Sequence, residues 1–77
     1  MSKDRQVRSL YSALVGAIAE NETLALDCAE IAEREGDPAI ADIARAVGRN
    51  GRIRALEFSG RLASLVERYP QLLDPEP

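Results

Sequence analysis

Small and apolar residues recur at three- and four-residue steps along the second half of the chain, which is the spacing of one face of an α-helix. The row comprises Ala41, Ala44, Gly48, Gly51, Ala55, Phe58, Leu62, Leu65 and Tyr69. Ile40 and Val47 keep step with it. The pattern predicts an amphipathic helix over about residues 38–69, with a single face directed at the core.

The first half of the chain carries a matching stripe. Its members are Val7, Leu10, Tyr11, Leu14, Ala17, Ile18, Asn21, Leu24, Ala25, Cys28, Ile31 and Ala32. Ser2 or Asp4 can cap the start of this helix. We therefore predict a first helix over about residues 4–35, in which Asn21 is the single polar position of the stripe.

Gly36, Asp37 and Pro38 form a stop and restart signal between the two stripes. Gly36 can adopt the left-handed conformation that ends a helix, Asp37 can cap the next one, and proline suits its first position. A reversal at residues 36–37 makes the two helices antiparallel neighbours. The predicted fold is all-α, an antiparallel two-helix hairpin forming one domain over residues 1–77.

Asn50 and Gly51 are a turn signal inside the second stripe, with Gly48 just before them. A three-helix bundle broken at this point is therefore the alternative fold. The stripe keeps its phase across the segment, which favours a continuous helix. Pro70 ends that helix, and residues 70–77 are expected to form a loose tail.

The chain has 77 residues and a formal net charge of -3. A domain this small buries little surface, so we expect it to form a homodimer in which two hairpins make a four-helix bundle. The predicted helix-packing and dimer-interface residues are Leu14, Ile18, Asn21, Ala44, Gly48, Gly51, Ala55 and Phe58. An unidentified protein partner is the other possibility.

Cys28 is the only cysteine and there is no histidine. A lone cysteine excludes an intrachain disulfide and indicates a cytoplasmic protein, with Cys28 as a small core residue. The absence of histidine removes the commonest general base and metal ligand. We accordingly expect no catalytic residues, no cofactor and no metal, and we expect neither a signal peptide nor a membrane span.

Three segments resemble the helical hairpin of the ferritin-like superfamily, rubrerythrin type. They are residues Ile31 to Gly36, Ile40 to Ala44 and Arg54 to Phe58. The family resembled is a four-helix bundle holding two irons through a Glu on one helix and a Glu-x-x-His on the next. Those ligand positions fall here on Ile18, Gly51 and Arg54, so the resemblance implies a fold relative without the metal site.

Two sets of charged residues, one acidic and one basic, suggest alternative functions. Carboxylates on the first helix, at Glu20, Glu22, Asp27, Glu30 and Glu33, could in principle hold a metal ion. Arg45, Arg49 and Arg52 form a basic ridge on the second helix, with Arg54 and Arg61 nearby, and this ridge could bind phosphate or nucleic acid. The acidic net charge opposes nucleic acid, and the hairpin register places the ridge beside the acidic segment, where both sets form a solvated flank.

Arg54 stands where the resembled family has its metal-binding histidine. The guanidinium could replace the charge of the metal by pairing with Glu20 or Glu22, in the same chain or across a dimer. The sequence therefore predicts a non-catalytic helical-bundle protein that acts through self-association or partner binding.

Overall fold

The computed structural model describes residues 3–74, which form two long antiparallel helices and a short C-terminal turn. Helix α1 spans Lys3–Arg34 and helix α2 spans Pro38–Arg68. The pair is 52 Å long and 20 Å wide. The predicted all-α hairpin is confirmed. Because α2 runs unbroken through Asn50 and Gly51, the three-helix alternative is wrong.

The reversal between the helices differs from the prediction at Gly36. Helix α1 ends at Arg34, and Gly36 does not take a left-handed conformation. The last turn closes instead through Glu35, whose N–H donates to the carbonyl of Ile31. Asp37 caps α2 as predicted, with its carboxylate accepting from the N–H of Ala39 at 2.9 Å. Pro38 follows at the first helical position.

The side chains between the helices repeat every seven residues, the spacing of a coiled-coil seam. On α1 they are Val7, Tyr11, Leu14, Ile18, Asn21, Ala25, Cys28 and Ala32, all buried or half-buried. On α2 they are Ala41, Ala44, Gly48, Gly51, Ala55, Phe58, Leu62 and Leu65. This register holds one stripe of each helix against the other along the whole hairpin.

The seam changes character between the two ends of the hairpin. From the loop to the middle of the hairpin the α2 seam residues are alanine and glycine. The backbones approach closely there: a Cβ on Gly51 would lie 3.1 Å from the carbonyl oxygen of Asn21. Toward the termini, which we call the open end, Phe58, Leu62 and Leu65 meet large α1 side chains. These need more room between the helices.

The C-terminal segment is ordered as far as the structure describes it. Tyr69 caps α2 through its N–H, and a 3₁₀ turn follows over Pro70–Leu73. Leu72 in this turn is buried, so residues 70–74 do not form the expected loose tail. The apolar Leu72 side chain holds the turn against the hairpin. Ser2, proposed as a cap, and residues 75–77 of the tail lie outside the described residues.

Candidate self-association surface

A row of apolar side chains on α1 lies beside the seam, and all of them except the half-buried Ala17 are exposed to solvent. Its members Leu10, Ala17, Leu24 and Ile31 are seven residues apart. Leu10, Leu24 and Ile31 are 50%, 41% and 46% exposed, although all three belong to the predicted core stripe. The stripe is therefore too wide for one neighbouring helix to cover.

Helix α2 contributes the corresponding row on the same side of the hairpin. Seven-residue spacing places Ile40, Val47, Arg54, Arg61 and Arg68 there, all of them exposed. Ile43 lies one turn from Ile40 and Val47 and is 65% exposed. Leu24 reaches over the edge of the seam toward α2, since its Cδ2 atom would lie 3.5 Å from a Cβ on Gly51. We call these two rows, with Ile43, the Leu24 face.

The Leu24 face is apolar near the loop and becomes a groove with a basic rim at the open end. The groove has a volume of about 900 Å³. Val7, Leu10, Leu14 and Leu65 supply its apolar lining. Its charged lining residues are Lys3, Glu57, Arg61 and Arg68. One carboxylate thus accompanies three cations, and Lys3 additionally lies 5.8 Å from the ring centre of Tyr69.

The opposite side of the hairpin, which we call the Leu26 face, is less continuous. A smaller groove of about 350 Å³ lies there, lined in part by Leu26, Leu56, Glu22 and Arg52. Leu26 and Leu56 are 72% and 69% exposed. Glu22 on α1 and Arg52 on α2 lie at the same level and interrupt the apolar surface. The Leu26 face therefore carries isolated leucines instead of a continuous row.

The eight predicted packing residues all lie in the seam between α1 and α2. Ala44, Gly48, Gly51 and Ala55 are buried. Leu14, Ile18, Asn21 and Phe58 are half-buried. They therefore pack the hairpin itself, and their contact with a second subunit stays a prediction. Cys28 is a free, buried thiol in the same seam.

Asn21 satisfies its side chain inside its own helix. Its Nδ2 donates to the carbonyl of Ala17 at 2.8 Å. Because the amide N–H group donates to the preceding turn, it needs no acceptor on α2. The residue is half-buried at the level where Gly51 brings the helices together.

Arg54 is exposed, and within residues 3–74 it makes no ion pair with Glu20 or Glu22, which are exposed as well. Pairing across a dimer stays a prediction. The arginine ridge likewise forms no bridge to the acidic segment of α1. Arg45 pairs along its own helix with Asp42 at 2.9 Å, as Arg34 does with Glu30 at 3.1 Å. The predicted register is correct, but exposed pairs form locally because neighbouring turns are nearer than the other helix.

Two further findings concern the described part of the chain. No three cysteine, aspartate or glutamate side chains there lie close enough together to hold a metal ion. Neither long helix carries an apolar stretch sufficient to cross a lipid bilayer. The hairpin taken alone thus offers no carboxylate metal centre between residues 3 and 74.

Several surface residues belong to neither predicted stripe. Ile43, Leu26 and Leu56 are among the most exposed apolar side chains. The seven-residue repeat of Leu10, Ala17, Leu24 and Ile31 is visible in the sequence, but only the packing of α1 against α2 shows that this row lies beside the seam. Ile43 does not belong to such a repeat. It is assigned to the Leu24 face only because it lies one helical turn from Ile40 and Val47.

Comparison with known proteins adds no family to this description. No protein-family model, curated protein or solved structure matches the chain significantly.

Proposed function

We propose that this protein is a non-catalytic, self-associating hairpin, and that its Leu24 face joins two copies into a four-helix bundle with two-fold symmetry. It acts through this assembly, either as a structural unit or as the platform for a protein partner. The exposed heptad row of Leu10, Leu24 and Ile31 carries the proposal.

A helix in a two-helix hairpin needs a stripe of two positions per heptad, because it has one neighbour. A helix in a four-helix bundle has two neighbours and needs a third apolar position. Helix α1 has that third apolar position over four consecutive heptads, at Leu10, Ala17, Leu24 and Ile31. A second hairpin on the Leu24 face would remove this row from water.

The composition of the hairpin core also supports the proposal that a second subunit binds. Its buried residues are mostly small, mainly alanine and glycine on α2. None of the large side chains within residues 3–74 is completely removed from solvent. A small domain with such a core gains little hydrophobic stabilisation by itself, and burial of the Leu24 face would add to it.

The resemblance to the ferritin-like hairpin fits this assembly. In that superfamily hairpins combine into four-helix bundles. The antiparallel hairpin supports the resemblance, whereas the positions of the family's ligands hold Ile18, Gly51 and Arg54. We propose a bundle of this general type whose function does not depend on a bound metal.

Sedimentation equilibrium of the full chain and two matched variants tests the proposal. Leu24→Gln removes an apolar side chain from the Leu24 face, and Leu26→Gln makes the same change on the opposite face. We expect a dimer at micromolar concentration. Leu24→Gln should weaken it roughly 10- to 1000-fold, since each dimer loses two leucines. Leu26→Gln should leave the dimerisation constant unchanged.

At about 100 µM even weak protein association is detected. A chain that stays monomeric at this concentration would refute the proposed self-association. A dimer that Leu26→Gln weakens and Leu24→Gln leaves unchanged would show that association does not use the Leu24 face.

A further inference from the structure

We infer that the two hairpins lie side by side with both loops at the same end, so that α1 of each copy packs on α2 of the other and Arg54 pairs with Glu20 across the interface. The inference rests on the proposed dimer. It adds the direction of the subunits and the ion pair that fixes it.

The uneven chemistry of the Leu24 face selects this direction. Its loop half is apolar, comprising Leu24, Ile31, Ile40, Ile43 and Val47. Its open half is basic at the rim, with Lys3, Arg61 and Arg68, and Arg54 lies near the middle. The favoured direction of a second copy is therefore the one that brings apolar side chains against the apolar half and keeps the basic half in contact with water.

Side-by-side docking places equal levels of the two hairpins opposite each other. Leu24 and Ile31 of one copy then meet Val47 and Ile40 of the other, which buries apolar side chains on both. The two loop halves form one continuous core. The open halves bring Lys3 near Arg68 of the other copy, but these exposed ends are solvated, so salt screens the repulsion.

The middle of the face explains the position of Arg54. Gly51 lies at the level of Asn21 and Leu24, so Arg54, almost one turn further along α2, lies at the level of Ile18 to Glu22. On the other copy this level presents Glu20, with Ala17 directly beside it on the face. The small Ala17 side chain leaves room for the guanidinium, and Glu20 supplies a carboxylate that is free of ion pairs within residues 3–74.

Docking with the loops at opposite ends gives the reverse result. Each α2 would then face the other α2, with Ile40 and Val47 opposite Arg68 and Arg61. Arg54 would approach its own copy on the partner subunit. Like charges would meet at the centre, and apolar side chains would meet charged ones at both ends. Sliding the copies to avoid this would leave half of each hairpin uncovered.

A charge exchange between two chains tests the ion pair. Glu20→Arg and Arg54→Glu should each weaken the homodimer about tenfold, because each creates two like-charge contacts. An equimolar mixture of the two variants should restore the parental affinity, since the heterodimer regains two opposite-charge pairs. A pair formed inside one chain would stay broken in both variants, so no recovery on mixing overturns the cross-subunit pair.

The direction is measured independently by spin-label distances. Cys28→Ala removes the native thiol, and Gly36→Cys attaches a label in the loop, where nothing lies within 4 Å of an added Cβ. Side-by-side docking predicts a loop-to-loop distance near the 20 Å width of the hairpin. Opposite ends would give a distance approaching its 52 Å length. A long distance in a sample that sediments as a dimer overturns this inference while the proposed function stands.

Discussion

Gly48 and Cys28 mark a point where the two helices nearly touch, since a Cβ built on Gly48 would lie 3.0 Å from the Cβ of Cys28. The neighbouring atom is fixed to the α1 backbone and cannot rotate away. A side chain at position 48 therefore requires the helices to separate, and the loss of packing along the seam accompanies that movement.

Gly48→Leu should accordingly destabilise the hairpin by about 1–3 kcal/mol or more, through overpacking. Gly16 is the matched control, because it is a helical glycine with nothing within 4 Å of an added Cβ. Gly16→Ala should stabilise by about 0.5–1 kcal/mol through helix propensity. Urea denaturation monitored by circular dichroism gives both values. Stabilisation by Gly48→Leu would contradict the close contact.

The N-cap of α2 should make a measurable contribution to the stability of the hairpin. Asp37→Ala removes the acceptor of the Ala39 N–H, and we expect a loss of about 1 kcal/mol. Asp37→Asn retains an acceptor and should lose less, chiefly the interaction of the charge with the helix dipole. Thermal melts of the two variants at one protein concentration provide the comparison. Equal losses would assign the effect to charge alone.

The periodicity predicts the hairpin because two apolar stripes of equal length, joined by Gly36, Asp37 and Pro38, have few ways to be buried. Periodicity does not determine how wide the buried part of a stripe is. Leu10, Leu24 and Ile31 share the helical spacing of the core, yet one neighbouring helix leaves them exposed. Their separation from the seam becomes visible only after the register of α1 against α2 is known.

Local details depended on interactions that spacing does not specify. Glu35 closes the end of α1 through the carbonyl of Ile31, so Gly36 needs no left-handed turn. Two leucines after Pro70 could equally belong to a tail, and only the tertiary structure shows that one of them is buried. Arg54, Glu20 and Glu22 are all exposed, so their register on the two helices does not by itself make them pair within one chain.

The 3₁₀ turn after α2 should stabilise the open end through a single side chain. Leu72 is 8% exposed and the adjacent Leu73 is 68% exposed. Leu72→Ala should therefore destabilise by roughly 1.5–3 kcal/mol, whereas Leu73→Ala should have little effect. Chemical denaturation of both variants tests this difference. Equal effects would mean that the turn does not pack on the helices in solution.

Burial of Cys28 links the stability of the hairpin to its association. The thiol lies in the seam, so a thiol reagent reaches it only when the helices separate. If a second subunit stabilises the hairpin, the fraction that is open must rise as the protein is diluted. We therefore expect the labelling rate of Cys28 to increase with dilution from about 100 µM to 1 µM, across the range of weak protein association.

An exposed thiol supplies the control for this experiment. Ser12 is exposed on α1, and Ser12→Cys in the Cys28→Ala background should react rapidly at every concentration. A slow Cys28 rate that is the same at both concentrations would indicate a hairpin that is stable as a monomer. A rate that rises on dilution, and rises earlier in Leu24→Gln than in Leu26→Gln, would show that the second subunit on the Leu24 face keeps the two helices together.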